Sequence, residues 1–193
     1  MKKIGIIDYG VGNIRSISNA LINLGADTLL TSSRDEILNC DGIILPGVGA
    51  FRHGMEKLKE KDLDLILDDY IQTNKPLLGI CLGMQMLFDR SSEFGDSKGL
   101  GFIEGNVERL PFQENFKLPH IAWTPIYPNS NLSWVNTLLN DIDINSDMYH
   151  VHTYYVNPHN LDYVLSFSSY NDFQYCSTVK KNNIFGCQYH PEK

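Results

Sequence analysis

The sequence predicts an α/β domain: a mostly parallel sheet covered by helices on both faces, extended in its C-terminal half by antiparallel strands. Two observations carry this. Between Lys3 and Phe88, short apolar runs alternate with stretches whose apolar residues recur every three or four positions, the signature of βαβ units. From Gly95 onward the texture changes, and Gly99, Gly101, Gly105, Pro111, Pro119, Pro125 and Pro128 punctuate short runs rich in β-branched and aromatic residues.

Lys3 to Ile7 is a short apolar strand closed by Gly10-Val11-Gly12-Asn13. Ile14, Ile17, Leu21 and Leu24 then fall on one helical face, and Gly25 ends that helix. Thr28 to Thr31 reads as a strand, and Ser33 to Asn39 as a short helix capped by Ser33. Gly42 to Leu45 is the next strand and stops at Pro46-Gly47-Val48-Gly49. Helices follow over Phe51 to Lys59 and Asp62 to Thr73, the second with Leu63, Ile66, Leu67 and Tyr70 on one face. Pro76 to Ile80 is a strand, and Leu82 to Phe88 turns helical. Met148 to Val156, Tyr163 to Tyr170, Phe173 to Lys180 and Ile184 to Tyr189 read as later strands, with a turn at Lys181-Asn182-Asn183. No linker, repeat or low-complexity tract intervenes, so residues 1–193 read as one domain.

Composition excludes several function classes. The 42% hydrophobic content of 193 residues suffices for a buried core. No run approaches the roughly 20 apolar residues of a membrane span. The apolar start ends at Asp8, too soon for a signal peptide. A net charge of −7 disfavours a nucleic-acid partner, because an acidic surface repels phosphate backbones. The cysteines, at 40, 81, 176 and 187, form neither a C-x-x-C pair nor a disulfide framework, and a reducing cytoplasm is the expected compartment.

The strongest chemical signal is Gly79-Ile80-Cys81-Leu82-Gly83, where a strand runs into G-x-C-x-G and then a helix. This is the sulfur counterpart of the nucleophile elbow. Flanking glycines allow a sharp turn, and the helix behind Cys81 aims free N–H groups at the sulfur. Such help matters, since an ordinary free thiol is only about 3% thiolate at neutral pH. A base stands at the far end of the chain, in Tyr189-His190-Pro191-Glu192, where a carboxylate two residues from an imidazole can hold one ring nitrogen and leave the other for the thiol. Taken alone, the first motif also fits a buried structural cysteine, and the second a solvent-facing pair. Pro46-Gly47-Val48-Gly49 follows another core strand, at the same end of a parallel sheet as Cys81, and could present backbone N–H groups to an oxyanion. Gly10-Val11-Gly12 fails the G-x-G-x-x-G pattern at Arg15, so no nucleotide cofactor is expected. His53, His120, His150, His152 and His159 show no ligand spacing with His190, and no metal is expected either.

Together these pieces resemble the triad-type, class I glutamine amidotransferases, and within them the glutaminase subunits of imidazole glycerol phosphate synthases of histidine biosynthesis. The resemblance spans nearly the whole chain: I-D-Y-G-V-G-N-I from Ile7, L-P-G-V-G-A-F from Leu45, G-I-C-L-G-M-Q from Gly79, G-L-G-F-I-E-G-N-V from Gly99, P-H-I-A-W from Pro119, V-H-T-Y-Y from Val151 and Q-Y-H-P-E-K from Gln188. It implies a flavodoxin-like three-layer fold. It also implies a triad of Cys81 as nucleophile, His190 as general base and acid, and Glu192 as the group that orients it. By the same resemblance, backbone N–H groups at Val48 and Leu82 stabilise the oxyanion, and Gly49, Gln85, His152, Thr153 and Tyr154 contact glutamine. The implied partner is a (β/α)8-barrel cyclase subunit docked over the site, which receives the ammonia.

The chain departs from the family pattern in three places. P-H-M-G-W-N is here Pro119-His120-Ile121-Ala122-Trp123-Thr124, in a segment expected to face the partner. Tyr189 stands where phenylalanine is common, and the terminal helix usual after the base motif is expected to be absent from this chain. The altered segment keeps a paralogous glutaminase of amidino-sugar biosynthesis as an alternative. From other classes, the motifs admit a non-catalytic binding subunit, which the intact triad opposes, and a cysteine hydrolase, which would not need the V-H-T-Y segment. Trp123 reads either as an interface anchor or as a core tryptophan.

Overall fold

A computed structural model describes residues 1–111, 117–129 and 133–193. The first half follows the alternation: β1 (Lys3–Ile7), α1 (Ile14–Asn23), β2 (Asp27–Thr31), α2 (Arg34–Asn39), β3 (Gly42–Leu45), α3 (Phe51–Lys59), α4 (Leu63–Ile71), β4 (Leu77–Ile80) and α5 (Leu82–Met86). The second half is built of strands: β5 (Phe88–Ser91), β6 (Ser97–Lys98), β7 (Ile103–Arg109), β8 (His120–Pro125), β9 (Tyr127–Pro128), β10 (Asp147–His152), β11 (Tyr154–Pro158), β12 (Val164–Tyr170), β13 (Phe173–Lys181) and β14 (Ile184–Cys187).

The main sheet runs β2-β1-β3-β4-β14-β13-β11-β7-β5-β6. Every pair from β2 to β14 is parallel, and β14-β13, β13-β11 and β11-β7 are antiparallel. Alternation along each strand feeds two cores. Ile7, Ile43, Leu45 and Leu77 pack on one side with α2 to α5, and Ile6, Ile44 and Ile80 pack on the other with Ile17 of α1. Helices therefore cover both faces of the parallel half, as the sequence pattern predicts.

Several expectations need correction. Ser33 precedes α2, but its side chain makes no capping bond; instead Thr31 Oγ1 accepts from the Ser33 N–H at 2.9 Å. The Asp62–Thr73 helix is trimmed to Leu63–Ile71. The helix after Cys81 stops at Met86, because Phe88 is drawn into β5 by parallel pairing with Ile103. Local periodicity cannot register a partner that lies 15 residues on. The run Met148 to Val156 is two strands, split at Thr153: β10 pairs only with β8 in a separate two-stranded sheet, whereas β11 enters the main sheet between β13 and β7. The C-terminal half thus extends the main sheet and also builds a second, small one.

Candidate active site

Four chain segments leave the carboxyl ends of adjacent parallel strands β1, β3, β4 and β14, the crevice where open α/β sheets place their sites. They are Gly10–Asn13, Pro46–Gly49, the elbow at Cys81, and Gln188–Glu192. Residues far apart in sequence meet there because the parallel register aligns all four strand ends.

Cys81 sits at φ 54°, ψ −110°, a conformation that side chains other than glycine rarely adopt. The strain lies on the cysteine itself, and the flanking glycines serve a different purpose: they make room. A Cβ on Gly83 would lie 1.9 Å from the Leu45 carbonyl oxygen, and one on Gly79 2.7 Å from the backbone of Gly83 and Met84. The elbow is thus wedged against β3, and the chain can turn so sharply only where no side chain intrudes. Gly83→Ala is expected to lower stability by about 3 kcal/mol, at the upper end of overpacking costs, since backbone cannot yield as a side chain would. Denaturant unfolding of the variant checks this, and an unchanged midpoint would contradict it. The helix behind the elbow, α5, has only five residues, so its contribution to the electrostatics at sulfur is that of a little over one turn.

Cys81 is 7% exposed, and its sulfur has the Gln188 Nε2 at 3.8 Å and the Val151 carbonyl at 4.0 Å. His190 is 6% exposed, and its Nδ1 lies 2.9 Å from Glu192 Oε1. Its Nε2 is also buried and interacts with Cys81, although without the geometry of a complete hydrogen bond. Nucleophile–base contacts commonly tighten only once substrate is bound. Burial works against the imidazolium, but the Cys81 sulfur and Glu192 outweigh it and raise the His190 pKa to about 10. For Glu192, burial opposes ionisation, yet His190, its own backbone N–H and Asn13 hold its carboxyl below the usual range. His190 therefore lies between two groups whose negative charge favours the protonated ring.

Two residues that sequence reasoning left without a role complete this arrangement. Asn13 Nδ2 donates to Glu192 Oε1 at 3.1 Å, so the glycine turn after β1 fixes the carboxylate. Gln188, fully buried, accepts from Gln85 Nε2 at 3.1 Å and reaches the sulfur with its own nitrogen. Both lie inside quoted motifs, G-V-G-N and Q-Y-H-P-E, and the signal was their place at strand ends beside the triad.

A cavity of about 300 Å³ opens over Cys81, lined among others by Val48, Gly49, Leu82, Gln85, Glu93, His152, Thr153 and Tyr154. All the residues expected to stabilise the oxyanion or contact glutamine therefore line one cavity with Cys81 and His190. Gln85 is less free than expected, because its Nε2 already donates to the Tyr154 carbonyl at 2.9 Å and to Gln188. Glu93 went unrecognised: it brings a carboxylate to the cavity while its Oε2 accepts from the Phe51 N–H, at the start of α3. His120, His150 and His152, which show no metal-ligand spacing to His190 in sequence, come together beside the cavity. Trp123 is 58% exposed, so the core reading of this residue fails.

A buried thiol, an imidazole and a carboxylate at one sheet end are the groups that nucleophilic acyl transfer uses. Comparison with known proteins points the same way. Relatives from Bacillus cereus (strain B4264) and Bacillus thuringiensis (strain Al Hakam), each an imidazole glycerol phosphate synthase subunit HisH, are 44% and 43% identical over 190 residues, covering 98% of this chain and 87% of each relative. Among solved structures, a glutamine amidotransferase matches with TM-score 0.72 at 16% identity over 98% of this chain and 90% of that one. PurLQS from Thermotoga maritima matches with TM-score 0.73 at 19% identity, covering 100% and 89%. At such identities these two speak for the fold alone, which is that of the amidotransferases. The family model for glutamine amidotransferase class-I matches residues 5–193, and the chain belongs to that family.

Proposed function

We propose that this chain is the glutaminase subunit of an imidazole glycerol phosphate synthase, a single amidotransferase domain over residues 1–193 that hydrolyses L-glutamine to glutamate and ammonia. The ammonia passes to a (β/α)8-barrel cyclase subunit, which makes imidazole glycerol phosphate and the ribotide AICAR in histidine biosynthesis. The observation that carries the reading is the convergence of Cys81, the His190–Glu192 pair and a cavity of about 300 Å³ at one sheet end. The identity of the HisH relatives supports the pathway. Four free, buried cysteines fit a reducing cytoplasm.

In this reading Cys81 Sγ attacks the side-chain carboxamide carbon of glutamine. The C–S bond forms as the carbonyl π electrons move onto oxygen, where N–H groups of Val48 and Leu82 stabilise them. His190 gives its proton to the amide nitrogen, the C–N bond breaks, and ammonia leaves a glutamyl thioester. Water then attacks the thioester, His190 takes a proton from it, the C–S bond breaks with its electron pair returning to sulfur, and glutamate departs with the starting sulfur–imidazolium pair restored. Glu192, held by Asn13, keeps the imidazole oriented throughout.

Glutamine also brings an α-ammonium group, and Glu93 is the cavity carboxylate suited to it. Glu93→Gln is expected to lower kcat/KM for glutamine by about 10- to 100-fold, the loss of one charged hydrogen bond, mainly through KM. The amide still accepts from Phe51, so α3 stays anchored. Measured glutamate release from glutamine tests both points: absence of release by the chain with its partner would sink the function, and an unchanged KM in the variant would sink the role of Glu93.

The outward face of the small sheet suits the barrel partner. Ile121 and Trp123 are each 58% exposed on β8, where they pair with Val151 and Tyr149 of β10. Val48, 41% exposed, shares a surface hollow with Tyr149, Val151 and His190, so this apolar face adjoins the triad. A partner seated there would close the site from water.

A further inference from the structure

We propose that His120, His150 and His152 form a binding site for a divalent transition-metal ion of the imidazole-preferring class, with zinc as the fitting example. The site arises from strand geometry. His152 and His120 face one another across the antiparallel register of β10 and β8, and His150 lies two residues along, on the same face of β10. An H-x-H pair with a third histidine across the ladder presents three imidazoles to one point. All three residues are buried, at 1%, 0% and 5% exposure for His120, His150 and His152.

Their ring centroids form a nearly equilateral triangle, with sides of 5.7, 5.5 and 5.5 Å. Three imidazoles bound to one tetrahedral ion at about 2 Å place their centroids roughly 5 Å apart. One ligand nitrogen from each ring lies within 4.8 Å of the others. Ligands on such an ion sit about 3.4 Å apart, so the rings need to swing inward by about an ångström.

Hydrogen bonding already sorts the nitrogens into outer and inner sets. The outer set is anchored: His120 Nε2 to Thr124 Oγ1 at 3.1 Å, His150 Nδ1 to the Tyr175 hydroxyl at 3.0 Å, and His152 Nδ1 to the Tyr154 carbonyl at 3.0 Å. Metal-bound histidines are held in this way through the nitrogen that does not ligate. A carbonyl only accepts, so His152 Nδ1 carries the hydrogen and its Nε2 is left with a lone pair. The inner set, His120 Nδ1, His150 Nε2 and His152 Nε2, is buried and has no hydrogen-bond partner. Three unpartnered imidazole nitrogens on three neighbouring buried rings are unusual in a folded protein, and an ion bound among them would satisfy them.

Burial lowers the pKa of His120, and burial together with the neighbouring rings lowers those of His150 and His152. The ring of Tyr170 stacks on His120 at 4.1 Å and walls one side. His152 lines the cavity over Cys81, which gives an ion a way in. The proposal stands whether or not that cavity takes glutamine.

The test uses the full chain, freed of metal by chelation and then titrated with Co²⁺ as a spectroscopic stand-in for Zn²⁺. The expected result is one ion per chain with the visible bands of a tetrahedral nitrogen-ligated site, no sulfur-to-cobalt charge transfer, and displacement by Zn²⁺. Cys81→Ser is expected to bind as the parent does. Removing one of three ligands through His150→Phe or His150→Gln is expected to weaken binding by at least about 100-fold, beyond the loss typical of an outer-shell change. Two outcomes overturn the proposal without relying on either His150 variant: no stoichiometric binding by the parent at about 10 μM metal, or a cobalt spectrum that needs sulfur and vanishes in Cys81→Ser. Unchanged affinity in a folded His150 variant overturns it as well.

Discussion

Cys81→Ser is expected to cut glutamine-dependent turnover by about 10⁶-fold, the scale seen when the nucleophile of a triad is removed. The same variant, complexed with its barrel partner, is expected to keep most of its synthesis from added ammonium salts. The asymmetry follows from the geometry. Cys81 and His190 line a cavity in this chain and act only on glutamine in the proposed reading, whereas the acceptor chemistry lies in the partner. A serine oxygen keeps the size of the side chain and the strained turn at φ 54°, so loss of turnover would report chemistry and not collapse of the elbow. Substantial glutaminase activity in the variant would remove Cys81 from its assigned role. Loss of both activities would point to a structural role instead.

A second large effect concerns the partner. The isolated chain is expected to be a weak glutaminase, and a barrel cyclase with its acceptor bound is expected to raise glutamate release by about 10²–10³-fold. That is the worth of one oxyanion donor brought into line. The Pro46–Gly49 segment is built for such a step. The Tyr9 hydroxyl anchors its start by donating to the Pro46 carbonyl at 2.6 Å. Its other end turns at Gly49, φ +95°, with no atom within 4 Å of where a Cβ would lie. Val48, exposed between these points, lies beside Tyr149 at the edge of the apolar face. In the proposed gating, pressure on that face would be passed through Val48 to this segment. Trp123→Ala is expected to weaken the complex by about 2 kcal/mol, roughly 30-fold in Kd, the threshold for an interface hot spot. Glutamate release measured alone, with a histidine-pathway cyclase, and with a sugar-pathway homologue separates the readings. Full speed in the lone chain would end the gating idea. Stimulation by the sugar-pathway homologue only would move the chain to that pathway while leaving it a glutaminase.

Much of this was legible in the sequence because it is local. β1, β3 and α3 fall where apolar runs and helical spacing place them, since each is decided by neighbours a few residues away. The members of the proposed triad stood out for the same reason: G-x-C-x-G and H-P-E are contiguous, and each carries its chemistry within a few residues. What escaped depends on pairing across the chain. Thr153 looks like the middle of one strand, yet the chain changes sheets there, because Val151 pairs with Ile121 while Tyr154 pairs with Arg109. Asn13 reaches Glu192 across 179 residues, and Gln85 reaches Gln188 across 103. The histidine trio exists only once β10 and β8 are in register. Such contacts are fixed by topology, and no periodicity announces them.

The central claim, that one thiol of four is the glutamine nucleophile, is tested most directly by covalent capture. The chain is treated with a glutamine analogue bearing an electrophilic ketone at the amide position, and the modified peptide is mapped. Thiolate fraction governs such labelling. Burial raises the pKa of Cys40, Cys176 and Cys187, whereas Cys81 shares the cavity with His190. One adduct per chain, on Cys81 alone and suppressed by glutamine, is the expected result. Labelling of Cys187 or another cysteine in preference to Cys81, or labelling that glutamine does not suppress, would contradict it.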